Sequence, residues 1–143
     1  MAFPVTLANL EATILEACAG EEEWPAQVSA GIYAGVDFAI AHPEVAEALA
    51  LDPGGSGTDT LHRYESIVGR LVGFLRARAP IESRLQGATD EALVGGIVGL
   101  VGDHLRIGRL DRLEELRPEL VLLTLLPYLG FLEAQRWANS REP

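Results

Sequence analysis

The sequence predicts an all-α protein of six or seven helices, forming one domain over residues 1–143. Three observations carry this prediction. Apolar residues recur at spacings of three and four along most of the chain, which places them on one face of a helix. Proline and glycine interrupt this pattern where helices would begin or end. No segment shows the strict alternation of a half-buried strand.

The first half of the chain is divided into helices by these signals. The spacing predicts a helix over Leu7–Ala19 and a second, apolar on nearly all sides and therefore central, over Pro25–Ala41. A short helix is expected over Pro43–Leu51. It is separate from the second helix, because Pro43 disfavours the helical conformation at the residue before it. Residues 52–58 are rich in glycine and predict a loop, and a long helix is expected from there to about Arg78.

The second half predicts two long helices. The first is capped by Thr89 and runs to Ile107, with Asp90 near its positively polarised N-terminus. A short connector is expected over Leu110–Leu116. The last helix covers Pro118–Asn139, and Pro127 should kink it, because proline removes a backbone hydrogen-bond donor.

The charge of the chain is unevenly distributed. It contains 11 Arg, no Lys and 21 acidic residues, for a net charge of −10. Ten of the acids precede the first basic residue, Arg63. Nucleic-acid binding by this chain is not expected, since phosphate contact requires a basic face. The acidic region is expected either to be a solvated surface or to meet a basic neighbour.

Several classes of protein are disfavoured by what the sequence lacks. A single cysteine, Cys18, allows neither an internal disulfide nor a cysteine zinc site. No dinucleotide or phosphate-binding fingerprint occurs, so neither a metal nor a cofactor is expected. The longest uncharged stretches, Ala92–Gly102 and Leu120–Leu132, fall short of the roughly 17–25 residues that span a bilayer. We expect a soluble, cytoplasmic protein without membrane contact.

The same two stretches are too apolar for helices with one buried face. Ala92–Gly102 contains four glycines, each of which costs about 0.8–1 kcal/mol in a helix interior. Three of them share a face on which another helix backbone could approach closely. This predicts a homodimer with a four-helix interface; a larger monomeric core is the alternative. The residues expected at the interface are Gly95, Gly99, Gly102, Leu122, Leu125, Leu126, Leu129 and Leu132.

Asp37 is the only charged residue between Glu23 and Glu44. A buried carboxylate requires a partner or a proton. One interpretation is a polar anchor in a ligand cavity, with Tyr33 and Phe38 as neighbours. The other is an exposed residue, or an ion pair with a later arginine.

The histidines suggest little chemistry. His42 precedes a proline and is expected in a turn, while His62 and His104 could face either solvent or a cavity. A small helical enzyme would need Asp37 to lie within hydrogen-bond reach of His62 or His104. No nucleophile or paired-carboxylate motif accompanies them, so we expect no catalytic residues and no enzyme activity.

Three segments in this order resemble the C-terminal regulatory domain of the tetracycline-repressor (TetR) family of transcriptional regulators. They are residues 36–45 (VDFAIAHPEV), residues 95–104 (GGIVGLVGDH), and residues 116–120 (LRPEL) leading into residues 127–130 (PYLG). The similarity runs from about Leu7 to the C-terminus. The helix–turn–helix that precedes this domain in the family has no counterpart in Met1–Thr6, so we expect no DNA contact by this chain itself.

The resemblance implies a helical domain whose last two long helices form the dimer bundle. It also implies a cavity among the central helices that takes a small, often apolar effector. A structural dimerisation module without a ligand, with a filled core, is the alternative function. By position in the resemblance, the candidate ligand-binding residues are Tyr33, Asp37, Phe38, His62, Ile67, Phe74 and His104.

Overall fold

The computed structural model describes residues 3–43, 69–77, 79 and 89–141. All regular structure in these residues is helical, which confirms the predicted all-α class. Residues 69–77 form a helical segment, here called segment 69–77. The predicted helix Pro43–Leu51, apart from its first residue, and the predicted loop 52–58 lie outside the described residues. The bounded helices are α1 (Phe3–Ala19), α2 (Trp24–Ala41), α3 (Thr89–Arg106), α4 (Leu110–Leu129) and α5 (Phe131–Asn139).

Two glycines of α2 allow α1 to pack closely against it. A Cβ atom on Gly31 would lie 2.8 Å from the Sγ atom of Cys18. A Cβ atom on Gly35 would lie 3.3 Å from the Cδ1 atom of Ile14. Because the two glycines are four residues apart, they lie on the same face of α2. They therefore allow α1 to approach α2 closely over a full helical turn.

Helix α2 is central, as its apolar sequence predicts, and packs against α1, α3, α4 and α5. The buried apolar side chains form two clusters, both of which are completed by Ile32 of α2. The larger cluster joins α2, segment 69–77, α4 and α5 around Tyr128. The smaller joins α2, α3 and the first half of α4 around Leu113. No helix within the described residues is both long and apolar enough to cross a membrane.

Helix α3 includes Thr89, the predicted cap, as its first residue and ends one residue before the predicted Ile107. Gly108 follows with a φ of +74°, a left-handed conformation that glycine adopts without steric penalty. The backbone N–H of Arg109 then donates to the carbonyl of His104 at 2.9 Å, which closes the helix end. The glycine stop that the sequence predicted is therefore present.

The predicted division of α4 at Pro118 is wrong. The connector and the start of the last helix form one continuous helix with Pro118 inside it. Proline has no N–H to donate to the carbonyl of Glu114, four residues earlier. The Nε atom of Arg117 donates to that carbonyl instead, at 3.0 Å. A neighbouring side chain thus supplies the hydrogen bond that the proline lacks.

The last helix is divided at Gly130 rather than extending from Pro118 to Asn139. Gly130 has φ +83° and ψ 167°, a region open essentially to glycine alone. It ends α4, with its N–H donating to the carbonyl of Leu126, and starts α5, with its carbonyl accepting from Ala134. Pro127 lies within the last turn of α4. The change in direction brings Ala134 and Ala138 of α5 into the larger core cluster.

We predict that Gly130→Ala lowers the free energy of unfolding by about 1–3 kcal/mol, because a Cβ atom is strained in this conformation. Urea unfolding followed by circular dichroism at one protein concentration would measure the change. Gly73→Ala is the matched control, since Gly73 is an exposed helical residue whose added Cβ would meet no atom within 4 Å. It should gain about 0.5–1 kcal/mol from the better helix former. Equal responses of the two variants would contradict the assigned role of Gly130.

Candidate functional site

A cavity of about 200 Å³ lies among α1, α2, segment 69–77, α3 and α4. The part of its lining that the structure describes is apolar apart from one threonine and one cysteine. The residues that line it are Leu10, Ile14, Leu15 and Cys18 of α1, Val28, Gly31, Ile32, Gly35, Val36 and Ala39 of α2, Leu71, Phe74 and Leu75 of segment 69–77, Val94, Ile97, Val98 and Val101 of α3, and Thr124 of α4.

Both polar side chains of the lining are bonded to backbone carbonyls. The Oγ1 atom of Thr124 donates to the carbonyl of Leu120 at 2.8 Å. The Sγ atom of Cys18 donates to the carbonyl of Gln27 at 3.3 Å. None of the described residues that line the cavity is charged. A ligand in it would therefore be held by apolar contact and shape, with little directional hydrogen bonding.

The residues that line the cavity differ in exposure. Val36, Ala39 and Thr124 are buried, as are Cys18 of α1 and Leu75 of segment 69–77. The side chain of Leu15, also on α1, is 37% exposed. Among the described lining residues, the cavity therefore comes closest to the surface beside Leu15.

The structure brings one of the predicted ligand residues, Phe74, to this cavity. His62 and Ile67 lie outside the described residues. The other four predicted residues are described and lie away from the lining. They are Tyr33, Asp37, Phe38 and His104.

Asp37 and Tyr33 belong to a separate, partly exposed cluster. Asp37 is 54% exposed and accepts a hydrogen bond from the Nη1 atom of Arg117 at 2.7 Å. The same guanidinium lies over the ring of Tyr33, 4.9 Å from its centroid. Arg141 lies on that ring as well, 5.7 Å from its centroid. The cluster joins α2 to α4 and to the C-terminal end of the chain, at positions that do not line the cavity.

Phe38 and His104 make local contacts. The ring of Phe38 lies against the ring of His42, with centroids 4.5 Å apart. The Nδ1 atom of His104 is 2.9 Å from the carbonyl of Leu100, four residues earlier on the same helix. Neither arrangement brings a histidine to Asp37.

Most residues of the cavity lining were not singled out in the sequence. The sequence assigned the apolar positions of α3 to a dimer interface or to a larger core. The apolar faces of α1, α2 and α3 were visible from residue spacing. That spacing predicts which side of a helix avoids water, but it does not distinguish a filled core from a cavity.

A buried carboxylate joins three helices beside the cavity. Asp90, at the start of α3, is only 2% exposed. The hydroxyl of Tyr128 on α4 donates to its Oδ1 atom. The Nε atom of Arg76, in segment 69–77, donates to its Oδ2 atom at 2.6 Å. The sequence indicated only that Asp90 favours a helix N-terminus and did not predict this network.

The network changes the protonation chemistry of Tyr128. Burial raises the pKa of Tyr128, and its hydrogen bond to Asp90 and the negative charge of that carboxylate raise the pKa further. The hydrogen bond to Asp90 also raises the pKa of Arg76. Both partners therefore keep their protons, and the carboxylate is held between two hydrogen-bond donors.

The predicted interface residues differ in exposure. Gly95, Gly99, Leu126 and Leu132 are exposed, whereas Leu122 and Leu129 are half-buried against the larger core cluster. Gly102 and Leu125 are buried within the single chain. A Cβ atom on Gly95, Gly96 or Gly99 would meet no atom of a neighbouring element within 4 Å. One face of α3 is thus open in the described structure.

Comparison with protein-family models, with curated proteins and with solved structures finds no match to this chain. Among the described residues, no group of three or more His, Cys, Asp or Glu side chains is arranged to hold a metal ion. The geometry of the cavity and of its surroundings is therefore the basis for a functional assignment.

We predict that Tyr128→Phe flattens the pH dependence of stability in alkaline solution. The raised pKa means that the folded state keeps a proton that the unfolded chain loses near pH 10. The free energy of unfolding of the wild type should be independent of this proton below about pH 10 and fall as the pH rises further. Urea unfolding measured between about pH 8 and about pH 11 would show that the free energy of unfolding falls more steeply with pH for the wild type than for Tyr128→Phe. The difference between the two slopes should correspond to at most one proton.

A second variant tests the cause of the raised pKa. Asp90→Asn removes the negative charge beside Tyr128, so it should also flatten the alkaline slope in part. At neutral pH, Tyr128→Phe should itself be less stable than the wild type by about 1–3 kcal/mol, because the buried carboxylate loses a donor. Parallel pH curves for the wild type and Tyr128→Phe would contradict the buried hydrogen bond.

Proposed function

We propose that this chain is the effector-sensing and dimerisation domain of a TetR-like transcriptional regulator and binds a small apolar molecule. The observation that carries the proposal is the apolar cavity of about 200 Å³ at the centre of the helices. Small-molecule sites are concave and mostly apolar. A cavity of this size, lined by four helices and one helical segment, favours a ligand over an inert core.

The lining indicates the chemistry of the ligand. An apolar cavity of about 150 Å³ is enough to bind benzene or xenon, so this cavity suits a molecule of about one aromatic ring or a short branched alkyl group. An ionised group would lose its hydration without a charged partner among the described lining residues. The hydroxyl of Thr124 and the thiol of Cys18 already donate to carbonyls. We therefore propose a neutral ligand with few hydrogen-bonding groups.

Dimerisation is supported by exposed apolar residues on the second half of the chain. Leu123, Phe131 and Leu132 are more than half exposed, with Leu132 at 81%. Leu126 lies one turn after Leu123 on α4. Together with the open glycine face of α3, these side chains would lose contact with water in a homodimer. Nucleic-acid contact by this chain is not part of the proposal, because its net charge is −10.

The exposed apolar residues also favour a second candidate, a structural dimerisation module that binds no ligand. Such a module needs the interface but gives no function to the cavity. The two candidates therefore differ in one measurable property, the affinity of the cavity for an apolar molecule.

We predict that benzene stabilises the wild type and that Val98→Phe reduces this stabilisation. A ligand that binds only the folded state raises the free energy of unfolding by RT ln(1 + [L]/Kd), where [L] is the free ligand concentration. The added ring should fill part of the cavity, because Val98 lines it, and should weaken benzene binding about tenfold or more. Ile107→Phe adds the same ring at a residue that is exposed and outside the lining, so it should bind benzene like the wild type.

Isothermal titration calorimetry and urea unfolding with and without benzene would measure both effects. A wild type whose unfolding curve does not respond to saturating benzene would favour the structural module over the sensing domain. Equal benzene affinities of Val98→Phe and the wild type would place the ligand outside this cavity.

We predict that the wild type is a dimer in native mass spectrometry, at twice the chain mass of 15.4 kDa, and that Gly99→Ala weakens it. In a single chain the added Cβ atom would meet nothing within 4 Å, and alanine should stabilise the helix by about 0.8–1 kcal/mol. If a partner helix packs closely against Gly99, the added Cβ atom would instead destabilise the dimer. Gly73→Ala is the control and should leave the dimer unchanged. A wild-type monomer, or a dimer that Gly99→Ala strengthens, would contradict the proposed interface.

A further inference from the structure

One side chain of the described cavity lining carries an oxygen atom, and it belongs to Thr124 of α4. Thr124 is only 3% exposed. Every other described residue of the lining has a side chain without oxygen or nitrogen. A hydrogen bond between a ligand and a side-chain oxygen of the described lining therefore has to involve Thr124.

The hydroxyl of Thr124 is already used as a donor. A threonine hydroxyl has one hydrogen to donate and two lone pairs with which to accept. The Oγ1 atom donates its hydrogen to the carbonyl of Leu120 at 2.8 Å. Among the described residues, none donates a hydrogen bond to this oxygen in return. Towards a ligand, the hydroxyl of Thr124 is thus an acceptor.

The other polar residue of the described lining has the same asymmetry. The Sγ atom of Cys18 donates to the carbonyl of Gln27 at 3.3 Å, and a thiol sulfur is only a weak acceptor. A ligand atom that can only accept would leave its hydrogen bonds to water without finding a side-chain donor among the described lining residues. A ligand O–H or N–H group would find the oxygen of Thr124.

The position of this oxygen is fixed by its surroundings. Val121 and Leu125, on the same stretch of α4, are fully buried in the larger core cluster. Tyr128 follows Thr124 by one turn, and its hydroxyl donates to Asp90 of α3. An acceptor that is held in place before binding loses little conformational entropy when a ligand arrives.

An ordered water molecule is a poor occupant of such a site. A buried water makes roughly two to four hydrogen bonds to polar groups. The described side chains of the lining offer one oxygen, and the hydrogens of Thr124 and Cys18 are already donated. A molecule with a single donor on an apolar body matches this lining more closely than water does.

We propose that Thr124 is the specificity-determining residue of the cavity and accepts a hydrogen bond from the ligand through its hydroxyl oxygen. The ligand class is a neutral molecule that carries one O–H or N–H donor on an otherwise apolar body, such as a small phenol or alcohol. This inference rests on the proposed function, because it assumes that the cavity binds a small molecule.

Three small aromatic molecules test the preference for a donor. Phenol and toluene have nearly the same size and shape, but only phenol carries a donor. Anisole carries an oxygen that can only accept. Isothermal titration calorimetry at about pH 7, where phenol is neutral, would give the Kd of each ligand for the wild type and for the variants.

Thr124→Val should weaken phenol binding about two- to tenfold relative to toluene, the range expected for the loss of one neutral hydrogen bond. The ratio of the two Kd values is the readout, because changes in packing or stability act on both ligands. Anisole should change in parallel with toluene. Thr124→Ala should shift the ratio in the same direction, and Thr124→Ser, which keeps the hydroxyl, should retain the wild-type ratio.

Two further variants are the controls. Thr13→Val makes the same chemical change on α1, at a half-buried residue outside the lining, and should leave the ratio unchanged. Cys18→Ala removes the weak acceptor of the lining and should also leave the ratio unchanged. A ratio that responds to Cys18→Ala and not to Thr124→Val would overturn the assignment to Thr124. So would an anisole affinity that falls as much as that of phenol in Thr124→Val.

The same titrations separate this inference from the proposed function. If toluene binds the wild type and Thr124→Val changes phenol and toluene alike, the cavity binds an apolar ligand and the acceptor role of Thr124 is wrong. If neither toluene nor phenol binds the wild type, the proposed ligand class is wrong and the acceptor role is wrong with it.

Discussion

The buried carboxylate of Asp90 is the point on which the arrangement of the helices around the cavity depends. It lies at the start of α3, and its two oxygens accept from Tyr128 of α4 and Arg76 of segment 69–77. A charge removed from water must be satisfied by partners, so these three elements meet only in an arrangement that supplies both donors. That requirement orients α3 and segment 69–77, which form two walls of the cavity, relative to α4.

The other ion pairs give a structural explanation for the uneven charge of the sequence. Arginine is the only strongly basic residue, and every arginine follows the acidic first 62 residues. Three of the early acids pair with arginines far along the chain. These pairs are Glu11 with Arg70, Asp37 with Arg117, and Glu21 with Arg141. Each is at least partly exposed and contributes little stability alone, but together they bring the N-terminal helices into contact with later parts of the chain. Part of the acidic region therefore meets basic residues of its own chain.

Helix α3 relates the two features on which the proposed function rests. Val94 and Val98 line the cavity, whereas Gly95 and Gly99, one position further along in each case, are on the open side of the helix. In the proposed regulator, the same helix would contact the effector on one side and the partner chain on the other. A small shift of α3 on filling the cavity would then be felt directly at the interface, since close helix packing tolerates little displacement.

The sequence by itself determined the helical class, the central position of α2 and most helix ends, because these depend on local signals such as apolar spacing, prolines and the positive φ of Gly108. It did not determine the continuity of α4 through Pro118, which depends on a side-chain hydrogen bond from Arg117. Nor did it place Asp37 beside Arg117, 80 residues away. Only the tertiary structure decided that the apolar faces of four helices and segment 69–77 leave a cavity between them, and that Asp90 is buried rather than solvated. Both outcomes depend on distances between residues that are far apart in the chain. The spacing of apolar residues within a single helix does not predict those distances.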